Sequence, residues 1–198
     1  MEVSASLVKE LRERTGLGLM DCKKALVETE GDLDKAVEHL RKKGALKAAK
    51  REGRATSEGR IGSYIHMNGK IGVLLELNCE SDFVAKTDQF AELVHDICMH
   101  IAASSPQWIS PDNVPEEVLA KEKEIYMVQA KEAGKPDKML EKIAEGKLRK
   151  FFSEVCLLEQ PFVKDPDRTV GELIRDKIAQ LGENMTVGRF ARFQLGQN

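Results

Sequence analysis

The chain has 198 residues, 41% of them hydrophobic and 32% charged, with a formal net charge of −2. That is enough apolar material for a real core in one or two domains. It excludes a bulk electrostatic pull toward nucleic acid or membrane. No apolar run approaches the ~20 residues that a bilayer span needs, and the opening "MEVSASLVKELRERTG" lacks the hydrophobic region of a signal peptide. Cys22, Cys79, Cys98 and Cys156 show no CxxC spacing. They are expected to be reduced, mostly buried thiols of a cytosolic protein, not zinc ligands or a disulfide frame.

Residues 1 to about 44 are expected to form three helices. Leu7, Val8 and Leu11 share a helical face that ends at Gly16. A second helix starts near Asp21, with Cys22, Ala25 and Leu26 inward. The third is capped by Asp32, carries Leu33, Ala36, Val37 and Leu40 at i, i+3, i+4 and i+7, and closes at Gly44. Between the first two lies "TGLGLM", which leaves Leu17, Leu19 and Met20 on a tip where no apolar side chain is needed to end a helix. "KKGALKAAKREGRATSEGR" then extends the helix into a linker. Its charges suit either RNA or an acidic partner, or simply a solvated connector.

The period now changes to two. Ile61, Ser63, Ile65 and Met67 fall on one face, and Asn68-Gly69 is a two-residue hairpin signal. Ile71, Val73, Leu75, Leu77 and Cys79 continue on the return strand, with Leu74 on its other face. After "NCESDFVAK", Thr87 or Asp88 caps a helix whose stripe is Phe90, Leu93, Val94, Ile97, Cys98 and Ile101. Phe83 thus sits in a strand-to-helix corner. Such corners present functional side chains, but position alone favours a phenylalanine that folds back to seal the core edge, since phenylalanine is usually buried.

A proline-rich loop, "PQWISPDNVP", leads to two charged helices near 116–133 and 136–157, an antiparallel pair or arm. "LLEQPFVKDPD" is extended. Thr169 and Glu172 form a capping box before a helix that Gly182 stops. In the last strand Met185, Val187, Ala191, Phe193 and Leu195 share a face interrupted by Arg189. With the hairpin it completes a three-stranded antiparallel sheet. The fold class is therefore α+β: a three-helix module over 1–54, including the basic linker, then a core domain over 55–198.

The sequence carries no recognisable catalytic motif. "TGLGLMD" lacks the GK[ST] of a phosphate loop, and the Gly-Lys pairs at 69–70, 134–135 and 146–147 lack its glycines. His95 and His100, five apart, are out of register for a metal on one helix face. Glu76, Glu80 and Asp82 form a carboxylate cluster in sequence, with Glu76 and Glu80 on one strand face in a solvated setting. No metal, cofactor or enzymatic activity is expected.

Several segments, in order and over nearly the whole chain, resemble the elongation factor Ts family. "LVKELRERTGLGLMDCKKALVETEGDLDKAVEHLRKKG" is similar to its amino-terminal module, and "NCESDFVAK" to its T-D-F-V signature with Ser81 in place of threonine. "LLEQPFVKD" and "RFARFQLG" are similar to its carboxy-terminal motifs. The resemblance implies a ubiquitin-associated-like three-helix module before an α+β core. It also implies guanine-nucleotide exchange on elongation factor Tu, a GTPase that carries aminoacyl-tRNA. By it, Ser81, Asp82, Phe83 and Val84 dislocate the partner's Mg²⁺, with Phe83 as the wedge. Arg12, Leu19, Met20 and Lys23 dock on the GTPase, unless Leu19 and Met20 pack within the three helices instead. Long-form members carry two core subdomains. Here "IGVLLELNCESDFVAK" and "CMHIAASSP" belong to a single unit, so a homodimer is expected to supply the second. The competing class is an RNA- or protein-binding adaptor without exchange activity. The near-neutral charge and the lack of aromatics for base stacking count against it.

Overall fold

The computed structural model describes residues 3–197. Three helices open the chain: α1 (Ala5–Thr15), α2 (Leu19–Glu28) and α3 (Leu33–Ala49). Ser4 Oγ accepts from the Leu7 amide at the start of α1 and Asp32 Oδ1 from that of Lys35 at the start of α3, each satisfying an otherwise orphaned donor. Val8, Leu11, Cys22, Ala25, Leu26, Ala36 and Leu40 form their common core. Gly44 does not close α3, which continues to Ala49. A side chain at 44 would come within 3.2 Å of the Ala179 methyl. The glycine is there for close approach, which offsets the ~1 kcal/mol that glycine costs inside a helix. The basic stretch is thus helical only as far as Ala49 and irregular from there to the first strand, and Lys47 pairs with Asp21 at 3.2 Å.

Strands β1 (Glu58–Ile65), β2 (Ile71–Cys79) and β5 (Met185–Gln194) make an antiparallel sheet in the order β1-β2-β5. The hairpin loop is longer than two residues: the His66 amide donates to Ile71 O, leaving Met67–Lys70 in the loop. Asn68 and Gly69 both take positive φ there. Val73, Leu75, Leu77 and Cys79 are buried. Helix α5 (Asp88–Ser104) has its predicted stripe fully buried, and Thr87 Oγ1 caps it by accepting from the Phe90 amide. A Cβ at Gly62 would fall on the Val94 side chain. The small residue lets strand and helix meet, so Ile61 and Ile65 lie on the opposite face, bare at 68% and 67% exposure. Leu74, Phe193 and Leu195 are also exposed, whereas Met185 at the start of β5 is covered. Arg189 interrupts the apolar stripe by pairing with Glu76 at 2.8 Å.

Between α5 and β5 come α6 (Glu116–Glu132) and α7 (Asp137–Val155), tied by Lys123–Glu141 and Lys147–Gln129 contacts. The short pair β3 (Pro161–Phe162) and β4 (Asp165–Thr169) follows, then α8 (Val170–Leu181). The Thr169–Glu172 capping box forms in both directions, at 2.9 and 3.1 Å. Gly182, left-handed, ends α8.

The chain divides into two compact units. One gathers residues up to Arg60, Leu77–Leu93 and Ile174–Thr186; the other holds Ile61–Glu76, Val94–Leu173 and Val187 onward. In the second, His100 is completely buried. The Val163 amide donates to its Nδ1 at 3.2 Å, so the ring proton sits on Nε2 and donates to Gln160 Oε1 at 2.9 Å. Gln160 in turn donates to Glu154 O. Protonating Nδ1 would break the Val163 bond, and burial lowers the pKa of His100 below its ordinary 6.5. A base depressed in the fold binds its proton more readily when unfolded. Its contribution is therefore complete above about pH 6.5 and is lost as pH falls toward the folded value. Melting curves from pH 7.5 to pH 5 are expected to show this slope in the native chain. His100→Gln should melt lower at pH 7.5 but more nearly flat, each tenfold difference in proton affinity being worth about 1.4 kcal/mol.

Candidate functional site

Strand β2 ends at Cys79, and a single helical turn, α4 (Asp82–Ala85), follows at once. Ser81 is extended (φ −131°, ψ 156°) and its hydroxyl accepts from the Val84 amide at 3.4 Å. This is the serine N-cap expected wherever a strand turns sharply into a helix. The Cys79 thiol donates to Ser81 O at 3.1 Å. Ala85 is buried. Residues two apart on a helix point ~200° from each other, so burying Ala85 turns Phe83 outward. Phe83 is 81% exposed, the most exposed of the large apolar side chains among the described residues. The corner does not fold back to seal the core.

Asp82 pairs with Lys86 one turn on, at 2.6 Å. The hydrogen bond from Lys86 holds its carboxyl below the ordinary range and raises the Lys86 ammonium correspondingly. The carboxylates grouped in the sequence do not form one cluster. Glu76 faces Arg189, Asp82 faces Lys86, and Glu80 accepts from the Asn184 amide at 2.6 Å and from Arg54 at 3.4 Å. The Asn184 bond, with Arg54 second, lowers the Glu80 pKa. Asn184 Nδ2 donates to Arg54 O at 2.9 Å. Glu183 accepts both donors of Ser81: its amide at 2.9 Å and its hydroxyl at 2.5 Å. Glu183, Asn184 and Arg54 are absent from the sequence-based site. Glu183 lies 102 residues from Ser81 and reads locally as an ordinary surface acid after a helix-stopping glycine. The one signal was Asn184, a polar residue in a "GEN" turn that proves to be buried.

The second predicted group lies at the α1–α2 elbow, in the same compact unit but on different elements. Gly16 is left-handed and donates to Arg12 O. Leu17 packs against the three-helix core, whereas Leu19 (51%) and Met20 (61%) stand exposed in the first turn of α2. Cys22, Ala25 and Leu26 take the inward face, so the α2 start has no room inside for Leu19 or Met20. Arg12 and Lys23 are exposed. Gln180 near the end of α8 donates to Thr15 O at 2.7 Å, fixing this elbow.

Among the described residues no three His, Cys, Asp or Glu side chains group as metal ligands, and no helix is long and apolar enough to cross a membrane. All four cysteines are free and buried.

The family model described as Elongation factor TS matches residues 23–197. The chain is 58% identical over 197 residues to the Elongation factor Ts of Geobacter sulfurreducens, covering 100% of this chain and 91% of that protein. It is 59% identical over 197 residues to that of Fervidobacterium nodosum, with 100% of both covered. For the Moorella thermoacetica protein the figures are 59% over 195 residues, 98% of this chain and 96% of the relative. With the family match spanning most of the fold, and relatives aligned from end to end, the chain belongs to the elongation factor Ts family of translation elongation factors.

Proposed function

We propose that this protein is a cytoplasmic guanine-nucleotide exchange factor that binds elongation factor Tu–GDP and promotes GDP release. It acts by binding and performs no bond chemistry itself. The observation that carries this reading is Phe83, 81% exposed on a turn fastened at both ends. An isolated aromatic on a fixed corner is built to enter something else. Mg²⁺ holds its oxygen ligands at about 2.0–2.1 Å in a near-octahedral shell, so a small displacement of the partner's backbone weakens the site. Phe83 supplies the displacement, Asp82 with Lys86 fixes the tip, and Ser81 and Val84 shape the corner. Linkage makes the effect reciprocal: the factor lowers GDP affinity as much as GDP lowers its own.

The 1–54 module serves as the docking element. Leu19 and Met20 are its apolar anchors, flanked by Arg12 and Lys23. The 55–198 core domain carries the wedge and, through its open sheet face, pairs with a second copy of the chain. The active complex then holds two copies of each protein, and nucleic acid is not contacted directly.

The test is release of a fluorescent GDP analogue from elongation factor Tu on adding the chain. Acceleration is expected. Met20→Ala should raise the half-saturating concentration about tenfold or more at unchanged maximal rate, since a buried apolar anchor contributes ~1.5–3 kcal/mol. Binding without any acceleration would leave only the adaptor reading.

A further inference from the structure

A single helical turn is too short to hold its own shape in water. Yet α4 must present Phe83 in one direction and resist the reaction force of insertion. The support comes from the segment just past α8. Glu183 places one oxygen on the Ser81 amide (2.9 Å) and the other on the Ser81 hydroxyl (2.5 Å). The neighbouring pair repeats the tie in the other sense, Asn184 donating to Glu80 at 2.6 Å. Two consecutive residues leaving β2 are thus cross-bonded to two consecutive residues leaving α8.

We propose that Glu183 is the positioning residue of the Phe83 tip: its forked carboxylate clamps the N-cap serine and so sets the direction in which the phenylalanine leaves the surface. This rests on the exchange reading above. Charge-assisted bonds are roughly twice as strong as neutral ones, and a fork fixes orientation as well as distance. The three-helix core and the α5 stripe do not depend on these bonds. Both Ser81 and Glu183 are only partly buried, so water can replace a lost partner without unfolding the unit. What water cannot supply is the angle. Ser81 also carries the cap bond to Val84, so a rotation at Ser81 turns the whole of α4.

The experiment uses the full chain with Glu183→Ala, Glu183→Gln, Phe83→Ala and the double variant Phe83→Ala/Glu183→Ala. Maximal GDP release rate, half-saturating concentration and melting temperature are measured for each. Glu183→Ala should lower the maximal rate about tenfold, which is ~1.4 kcal/mol of transition-state stabilisation. Its half-saturating concentration should stay within about twofold, because the anchors at the α1–α2 elbow are untouched. Glu183→Gln keeps one carbonyl oxygen for Ser81 and should fall between. In the Phe83→Ala background, removing Glu183 should change the rate less than about twofold, since the group it positions is already gone. An equal loss in both backgrounds, or no loss in the protein that retains Phe83, overturns the proposal. If Glu183→Ala fails to fold, Glu183→Gln carries the same comparison. A normal rate for Phe83→Ala alone would instead remove the wedge reading. A slow Phe83→Ala beside a normal Glu183→Ala would remove only the role of Glu183.

Discussion

Phe83→Ala is expected to release GDP from elongation factor Tu some ten to a hundred times more slowly than the native chain at saturation, while the free variant melts almost unchanged. The range follows from the side chain's own transfer energy. Burying a phenylalanine contributes ~1.5–3 kcal/mol, and each ~1.4 kcal/mol is a factor of ten in rate. The stability half follows from exposure. A core phenylalanine cut to alanine would cost ~3–5 kcal/mol. At 81% exposure Phe83 belongs with surface positions, where substitutions fall within ~0.5 kcal/mol. Affinity for the nucleotide-free partner should survive, because a wedge spends its binding energy on distortion. Asp82→Ala should show the same pattern more mildly, since Lys86 then loses its partner but the Ser81 cap remains. Stopped-flow release beside thermal melting decides the matter. A large fall in melting temperature with normal release by the folded fraction would return Phe83 to the core.

Leu74→Asp combined with Phe193→Asp is expected to convert a dimer into a monomer with its fold retained. Ile61, Ile65, Leu74, Phe193 and Leu195 are exposed on β1, β2 and β5 and the end of the chain. Ile61, Leu74, Arg189 and Ala191 line one shallow hollow among them. A sheet that exposes several large apolar side chains offers an interaction face, and a two-fold axis lets one such face cover its own copy. A stable interface needs ~1,200–2,000 Å² buried in total, within reach of two small sheets packed face to face. Two carboxylates buried there without partners would open it. Light scattering across concentration reads the result. A native chain that is monomeric at every concentration, with full exchange activity, rules the dimer out.

Much of the architecture was legible because local chemistry and packing agree. The Asp32 cap, the Thr169–Glu172 box and the α5 stripe each follow from spacing alone. Other features needed the fold. Gly44 looks like a stop until Ala179, far along the chain, is seen against it. Alternation in β1 separates two faces but does not say which one is covered. Gly62 under Val94 decides that, and it sends the isoleucines outward. Phe83 is the sharpest case. Hydrophobicity alone would bury it, and only the buried Ala85 two positions on shows why it cannot turn in. Glu183 was illegible for a different reason: its meaning lies in a partner 102 residues away, and nothing in its neighbours encodes that distance.

The buried thiols have a practical side. Cys22, Cys79, Cys98 and Cys156 are all shielded. Burial pushes Cys98 and Cys156 up to about 11 and raises Cys79 as well. Alkylating reagents attack the thiolate, so at neutral pH the native chain offers them little. A single exposed substitution such as Lys135→Cys, in the turn between α6 and α7, would then take a fluorophore selectively. The chain can be labelled for distance measurements on its partner complex with every native sulfur left in place.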